Sequence, residues 1–358
     1  MSEILPSWPS ISGNRQGEWA MGVSFRQAEE AVESAAEVLF DLDPRVRSVG
    51  ITRHGEAFGY RAVRNSAMIV PLGAIVESVR EVQGVPVLFT ETPGELESLA
   101  VVAASGPASP AASSLVPEVG RHRSLVSGLQ IQNFDDDLRE GILEKGLMIV
   151  GTLGCFVRLP DGEPGFLSNN HVVAGENRGR KADRILQPGS GTFDPADLAG
   201  ILEDFVALMV SPVGATPKKG NAVFNEVDAG VVRMNAETSF NQGFLPFRNL
   251  VAPNGVARAK AEDQVFKVGR TTGLTHGKIT DVATIVGPIP YDPGPCWFRR
   301  SIVIEGLNGT LFSDKGDSGS AIVRTNGEVV GLLYAGNGQQ TYACPIEDIL
   351  NSLHCSFR

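Results

Sequence analysis

Gly316-Asp317-Ser318-Gly319-Ser320 runs directly into Ala321-Ile322-Val323, a loop of small residues feeding an apolar strand. Glycines on both sides of Ser318 let the backbone turn sharply around its hydroxyl. A serine hydroxyl is a poor nucleophile at neutral pH unless a base removes its proton as it attacks. Two upstream segments carry what such a serine needs. In Gly165-Phe166-Leu167-Ser168-Asn169-Asn170-His171-Val172-Val173-Ala174 a histidine follows an apolar strand, and in Asn225-Glu226-Val227-Asp228-Ala229-Gly230-Val231-Val232 an acid enters one. Imidazole, with an ordinary pKa near ~6.5, takes a proton and returns it to a leaving amine. A buried carboxylate accepting its other ring N–H fixes the tautomer and stabilises the imidazolium. His171, Asp228 and Ser318 are therefore the candidate catalytic residues. The N–H groups of Gly316 and Ser318 are candidate donors to a developing oxyanion, a contribution of roughly 2.7–4 kcal/mol per donor. Taken singly, the loop is also readable as a turn, Asp228 as a strand-start cap and His171 as a loop histidine. Their joint order is what favours the chemistry.

Working outward, the chain has 358 residues, 42% hydrophobic and 20% charged, an ordinary globular composition long enough for two or three domains. The net charge of −10, with no dense Lys/Arg run beyond Arg178, Arg180 and Lys181, disfavours nucleic acid as a partner. The longest apolar stretch, residues 147–157, is far below the ~20 residues that span a bilayer, so no membrane partner is expected. The first residues lack a basic region followed by an apolar one and read as no secretory signal. Cys155, Cys296, Cys344 and Cys355 are few for a secreted protein of this size, and no CxxC occurs. These readings point to a reducing, cytoplasmic setting, and no metal or cofactor is expected.

Residues 1–20 read as a tail. Ser24 with Gln27 makes a capping-box pattern, and Ala28, Val32, Ala35, Ala36 and Leu39 recur at helical spacing until Asp43-Pro44. Residues 46–52 and 58–63 read as a hairpin, 72–82 as a second helix and 85–89 as a third strand, so 21–100 is expected to be a small α+β domain. The Pro/Ser/Ala-rich stretch 101–120 reads as a linker. From 121 to 358, 41 Gly and 22 Pro in the whole chain help punctuate short apolar runs, the pattern of an all-β sandwich or barrel.

The segments around His171, Asp228 and Ser318 resemble chymotrypsin-fold (trypsin-like) serine peptidases. The resemblance extends through Gly151-Thr152-Leu153-Gly154-Cys155-Phe156-Val157, Ile185-Leu186-Gln187-Pro188-Gly189, Val268-Gly269-Arg270-Thr271-Thr272-Gly273 and Val330-Gly331-Leu332-Leu333-Tyr334-Ala335-Gly336. It is to bacterial trypsin-like peptidases related to the plant narrow-leaf serine-protease family, and it covers about 121–358. It implies a small N-terminal α+β domain followed by two six-stranded antiparallel β-barrels at about 143–235 and 258–345, with the site between them. It also implies peptide-bond hydrolysis of a protein or peptide substrate through His171 as base, Asp228 as orienter and Ser318 as nucleophile. The Tyr334-Ala335-Gly336 segment would pair with an extended peptide. Phe312 stands six residues before the nucleophile, where trypsin-like enzymes carry a determinant of specificity, so an apolar or small residue before the cut bond is expected. Lys315 is read either at the pocket rim or as a solvated lysine.

The sequence departs from that family in two places. Val172 follows His171 where secreted animal trypsins have a cysteine. Asp317 in those enzymes is held by a freshly cleaved N-terminal amine, whereas here a whole domain precedes the barrels. Arg121-His122-Arg123 is readable as a processing site or as a solvated basic stretch. An α/β-hydrolase esterase is disfavoured because the loop lacks the last glycine of G-x-S-x-G. A latent or inactive protease-fold scaffold, binding a partner or a second copy through its N-terminal domain, is the reading from a different class.

Overall fold

The computed structural model describes residues 23–68, 79–105, 117–217 and 219–358, so the tail and most of the expected second helix lie outside the described residues. Ser24 opens the helix Phe25–Leu42 through the expected capping box: its Oγ accepts from the Gln27 N–H, and Gln27 Oε1 accepts from the Ser24 N–H at 3.0 Å. The stripe of Ala28, Val32, Ala35, Ala36 and Leu39 is buried, as its spacing requires. It packs on the antiparallel hairpin Val46–His54 and Ala57–Asn65, beside which Val85–Thr92 runs parallel. The end of the expected helix at 72–82 is instead the strand Glu81–Val82. Gln83 (φ 53°) and Gly84 (φ 77°) both adopt left-handed backbone, which turns the chain tightly back into Val85.

This small unit is built onto the body of the protein. Val46–His54 pairs antiparallel with Gly273–Tyr291, and Phe40 meets Trp297 edge-to-face at 4.9 Å. The carboxyl half closes as a ring of six antiparallel strands: Gln264–Gly269, Gly273–Tyr291, Gly294–Gly306, Gln340–Pro345, Glu328–Gly336 and Ala321–Arg324. Closure leaves this ring no free edge, and it corresponds to the expected second barrel.

The amino half is a nine-stranded sheet whose pairing does not close among the described residues. Its order is Ser356–Phe357, Phe156–Arg158, Pro164–Ser168, Gly230–Met234, Leu198–Phe205, Arg184–Leu186, Gln130–Asn133, Leu147–Thr152 and Val101–Ala104. It therefore differs from six strands at 143–235. Gln130–Asn133 was hidden by its polar residues, which are buried here with partners: Gln130 Nε2 donates to the Pro188 carbonyl at 2.8 Å, and Gln132 Nε2 to Asp137 Oδ2 at 2.6 Å. Val101–Ala104, within the stretch read as linker, is a strand on Leu147–Val150; residues 106–116 lie outside the described residues.

Asp137 also accepts from the Ile149 N–H at 2.9 Å, but burial outweighs both donors and pushes its carboxyl up to about 7. Between the ordinary 3.8 and about 7 the folded chain binds the extra proton, so this group's contribution to stability falls as pH rises through that window. Asp137→Asn is expected to flatten that part of the Tm-against-pH curve. An unchanged slope would contradict the assignment.

Candidate active site

Each candidate residue stands where a strand ends at the junction of the two halves. Pro164–Ser168 ends in the short helix Asn170–Val173, which carries His171, while Asp228 precedes the neighbouring strand Gly230–Met234. The Asn169 side-chain amide ties the two segments by donating to the Asp228 carbonyl at 2.7 Å. His171 Nδ1 lies 2.5 Å from Asp228 Oδ2, and the His171 backbone N–H donates to Oδ1 at 3.3 Å. A carboxylate only accepts, so the bond assigns the ring proton to Nδ1 and leaves the Nε2 lone pair free. Nε2 is buried and has no hydrogen-bond partner.

Asp228 has a further donor that sequence reasoning missed. Tyr291 Oη donates to Asp228 Oδ2 at 2.8 Å, and its ring lies edge-on to His171 at 5.9 Å. Burial, and then the Asp228 charge, hold the Tyr291 hydroxyl well above its ordinary pKa, so it stays a donor. Only its position at the end of an apolar strand distinguishes Tyr291 in the sequence.

Ser318 sits in the loop before Ala321–Arg324, with Gly316 (φ 103°) and Gly319 (φ 91°) in backbone regions that other residues avoid. A side chain at Gly319 would also stand 2.2 Å from the Thr152 carbonyl, so both glycines are required by the turn. Gly151 brings the halves together: a Cβ built there would touch both Val172, beside His171, and the Ser318 carbonyl. Ser318 Oγ donates weakly to the Tyr334 carbonyl at 3.4 Å, and both Ser318 and His171 are buried.

The loop is held from beneath by Asp317. Its carboxylate accepts from the N–H groups of Thr271 (2.9 Å), Thr272 (3.2 Å) and Asp314 (3.0 Å), and from Thr272 Oγ1 (2.7 Å). Lys267 Nζ lies 3.2 Å from Asp317 Oδ2, both side chains being fully buried. The buried partner of Asp317 is thus an internal ammonium. Its one sequence signal is a lone charge in the apolar run Val265-Phe266-Lys267-Val268. Burial draws the Lys267 ammonium below its ordinary pKa against the upward pull of Asp317.

The remaining candidates surround a segment of the chain itself. Tyr334, Ala335 and Gly336 lie on Glu328–Gly336, and Ala335 and Gly336 pair antiparallel with Ser98 and Glu97. Phe312 is buried in the same apolar cluster as Leu99, and Lys315 is ion-paired with Glu97 at the surface. Arg121 and Arg123 are engaged by Asp194 and Asp197. The four cysteines are unpaired, Cys344 receiving the Asp228 N–H at 3.3 Å. Among the described residues no cluster of His, Cys, Asp and Glu has a metal-binding arrangement, and no helix is long and apolar enough to cross a membrane.

No family model matches the chain. The solved structures it is similar to include three bacterial proteins. For Nocardiopsis protease the identity is 18% and the TM-score 0.44, over 66% of this chain and 99% of that one. For the Cellulomonas bogoriensis chymotrypsin the values are 21% and 0.39, over 58% and 90%. For Thermobifida fusca protease A they are 18% and 0.39, over 58% and 90%. The similarity is to bacterial serine proteases of the chymotrypsin fold.

Proposed function

We propose that this chain is a serine endopeptidase working through His171, Asp228 and Ser318. The observation that carries the reading is the His171 Nδ1 to Asp228 Oδ2 bond, which leaves the buried Nε2 a free base. In the reaction Nε2 takes the Ser318 proton as Oγ attacks a peptide carbonyl, and Asp228 stabilises the imidazolium. The N–H groups of Gly316 and Ser318 receive the oxyanion. His171 then protonates the leaving amine, and water hydrolyses the acyl-enzyme through the same base. The apolar surroundings of Phe312 and Leu99 favour an apolar residue before the cut bond.

Tyr291 acts as a positioning residue, since it bonds Asp228 and not the reacting atoms. A hydrogen bond to a charged group contributes about 1.5–3 kcal/mol. Tyr291→Phe is accordingly expected to lower kcat about tenfold or more with KM unchanged. A shift in KM alone would assign Tyr291 to the substrate pocket instead. The reading as a whole is tested by a mass-spectrometric peptide-library digest: cleavage after apolar residues is expected, and identical digests from wild type and Ser318→Ala would overturn it.

A further inference from the structure

We propose that the first substrate of this site is the chain's own Leu99–Ala100 peptide bond, hydrolysed within the same molecule; the proposal rests on the peptidase reading above. Leu99 lies as a bound substrate would. Its N–H donates to the Tyr334 carbonyl at 3.2 Å, and its carbonyl accepts from the N–H of Gly316, the candidate oxyanion donor. The residues before it pair antiparallel with the carboxyl half, Ser98 with Ala335 and Glu97 with Gly336. Those after it pair antiparallel with the amino half, Val101 with Val150 and Val102 with Ile149. The backbone therefore crosses the junction extended and anchored on both sides, with Leu99–Ala100 at the crossing.

Side chains fix the register. Leu99 is buried in the same apolar cluster as Phe312, and Gly336 leaves it room, since a Cβ there would lie 3.1 Å from Leu99 Cδ1. Glu97 is ion-paired with Lys315, and Glu95 accepts from Asn65 Nδ2 at 2.6 Å. Gly94 passes so close to the Asn337 carbonyl that any Cβ would clash. Ser318 Oγ donates to the same Tyr334 carbonyl that accepts from the Leu99 N–H, which puts the hydroxyl beside the crossing, while Nε2 of His171 is buried and unpartnered. A segment serving only to complete the two sheets would need neither its carbonyl on the Gly316 N–H nor an apolar side chain in that cluster.

The step balances without a cofactor. Ser318 Oγ bonds to the Leu99 carbonyl carbon while its proton passes to His171 Nε2. The bond to the Ala100 nitrogen breaks, and that proton completes a new amine on Ala100. Water then cleaves the ester, leaving a carboxylate on Leu99 and a free Ser318, so one water is consumed per peptide bond. Both new ends stay attached through sheet pairing, the Leu99 side by Val46–His54 on Gly273–Tyr291 and the Ala100 side by Val101–Ala104 on Leu147–Thr152.

Intact-mass analysis of freshly purified full-length chain tests this. Expected are two fragments, one ending at Leu99 and one beginning at Ala100, that co-elute as one particle. Their rate of appearance should be first-order and unchanged by tenfold dilution. Ser318→Ala should stay whole. Leu99→Asp, which directs a carboxylate into an apolar pocket, should slow the break at least about 100-fold, whereas Leu99→Met should remain within about tenfold of wild type. Melting curves establish that each variant is folded. A wild type that digests a peptide library yet keeps Leu99–Ala100 intact, breaks elsewhere, or breaks faster on concentration overturns the proposal and leaves the peptidase reading standing. Failure of self-cleavage together with failure of library digestion by both wild type and Leu99→Asp overturns the two together.

Discussion

Ser318→Ala is expected to lower kcat for peptide hydrolysis by about 10⁶-fold, His171→Ala by a similar factor, and the double substitution by little more than either. The reason is chemical: without Ser318 the imidazole has no proton to take, and without His171 the hydroxyl has no base. Asp228→Asn should cost less, roughly 10⁴-fold, because an amide presenting its NH₂ group to Nδ1 favours the wrong tautomer while keeping the shape. The hydrogen bonds of the His171 and Asp228 side chains run to each other, to Tyr291 and to the His171 backbone N–H, while Asn169 and Cys344 hold the Asp228 backbone, so these losses should not be accompanied by unfolding. Steady-state kinetics beside melting curves would check this, and additive losses in the double variant would contradict a shared machinery.

The second large effect belongs to Lys267. Lys267→Met leaves the fully buried Asp317 without its cation, and removing one partner of a buried ion pair costs about 3–5 kcal/mol. Asp317 immediately precedes Ser318 and holds the turn that aims Gly316 and Ser318, so the loss should reach the oxyanion donors as well. A fall in kcat of about 100-fold or more is expected, together with a lower urea midpoint. The ammonium is charged only below its pKa, and burial lowers that pKa from the ordinary 10.5. As pH rises the pair must therefore lose its positive member before 10.5 is reached, producing a reversible alkaline fall in kcat. Wild-type kcat and stability in Lys267→Met would contradict the role given to the pair.

These two cases mark what the residues alone could reveal. His171, Asp228 and Ser318 were legible because each stands at one end of an apolar run, His171 after it and the other two before it, and the glycines around Ser318 have no cheaper use than a sharp turn. The helix from Phe25 was legible for a similar reason: its cap and its stripe agree. Gln130–Asn133 was not, because buried glutamines satisfied by Pro188 and Asp137 look in sequence like surface residues. Lys267 was not either, because a lone charge in an apolar run does not name its partner, Asp317, fifty residues on. Glu97–Leu99 gave least of all. Its anchors to Tyr334 and Gly316 are backbone hydrogen bonds, which any residue sequence can make.

The central claim, that Ser318 cuts peptide bonds, is tested most directly by a peptide-library digest of three folded chains: wild type, Ser318→Ala, and Leu99→Asp, in which a carboxylate replaces the apolar side chain that seats the chain's own segment by Ser318. Cleavage after apolar residues by wild type or Leu99→Asp, absent from Ser318→Ala, is the predicted result. Equal cleavage by all three, or none by wild type and Leu99→Asp alike, would contradict it.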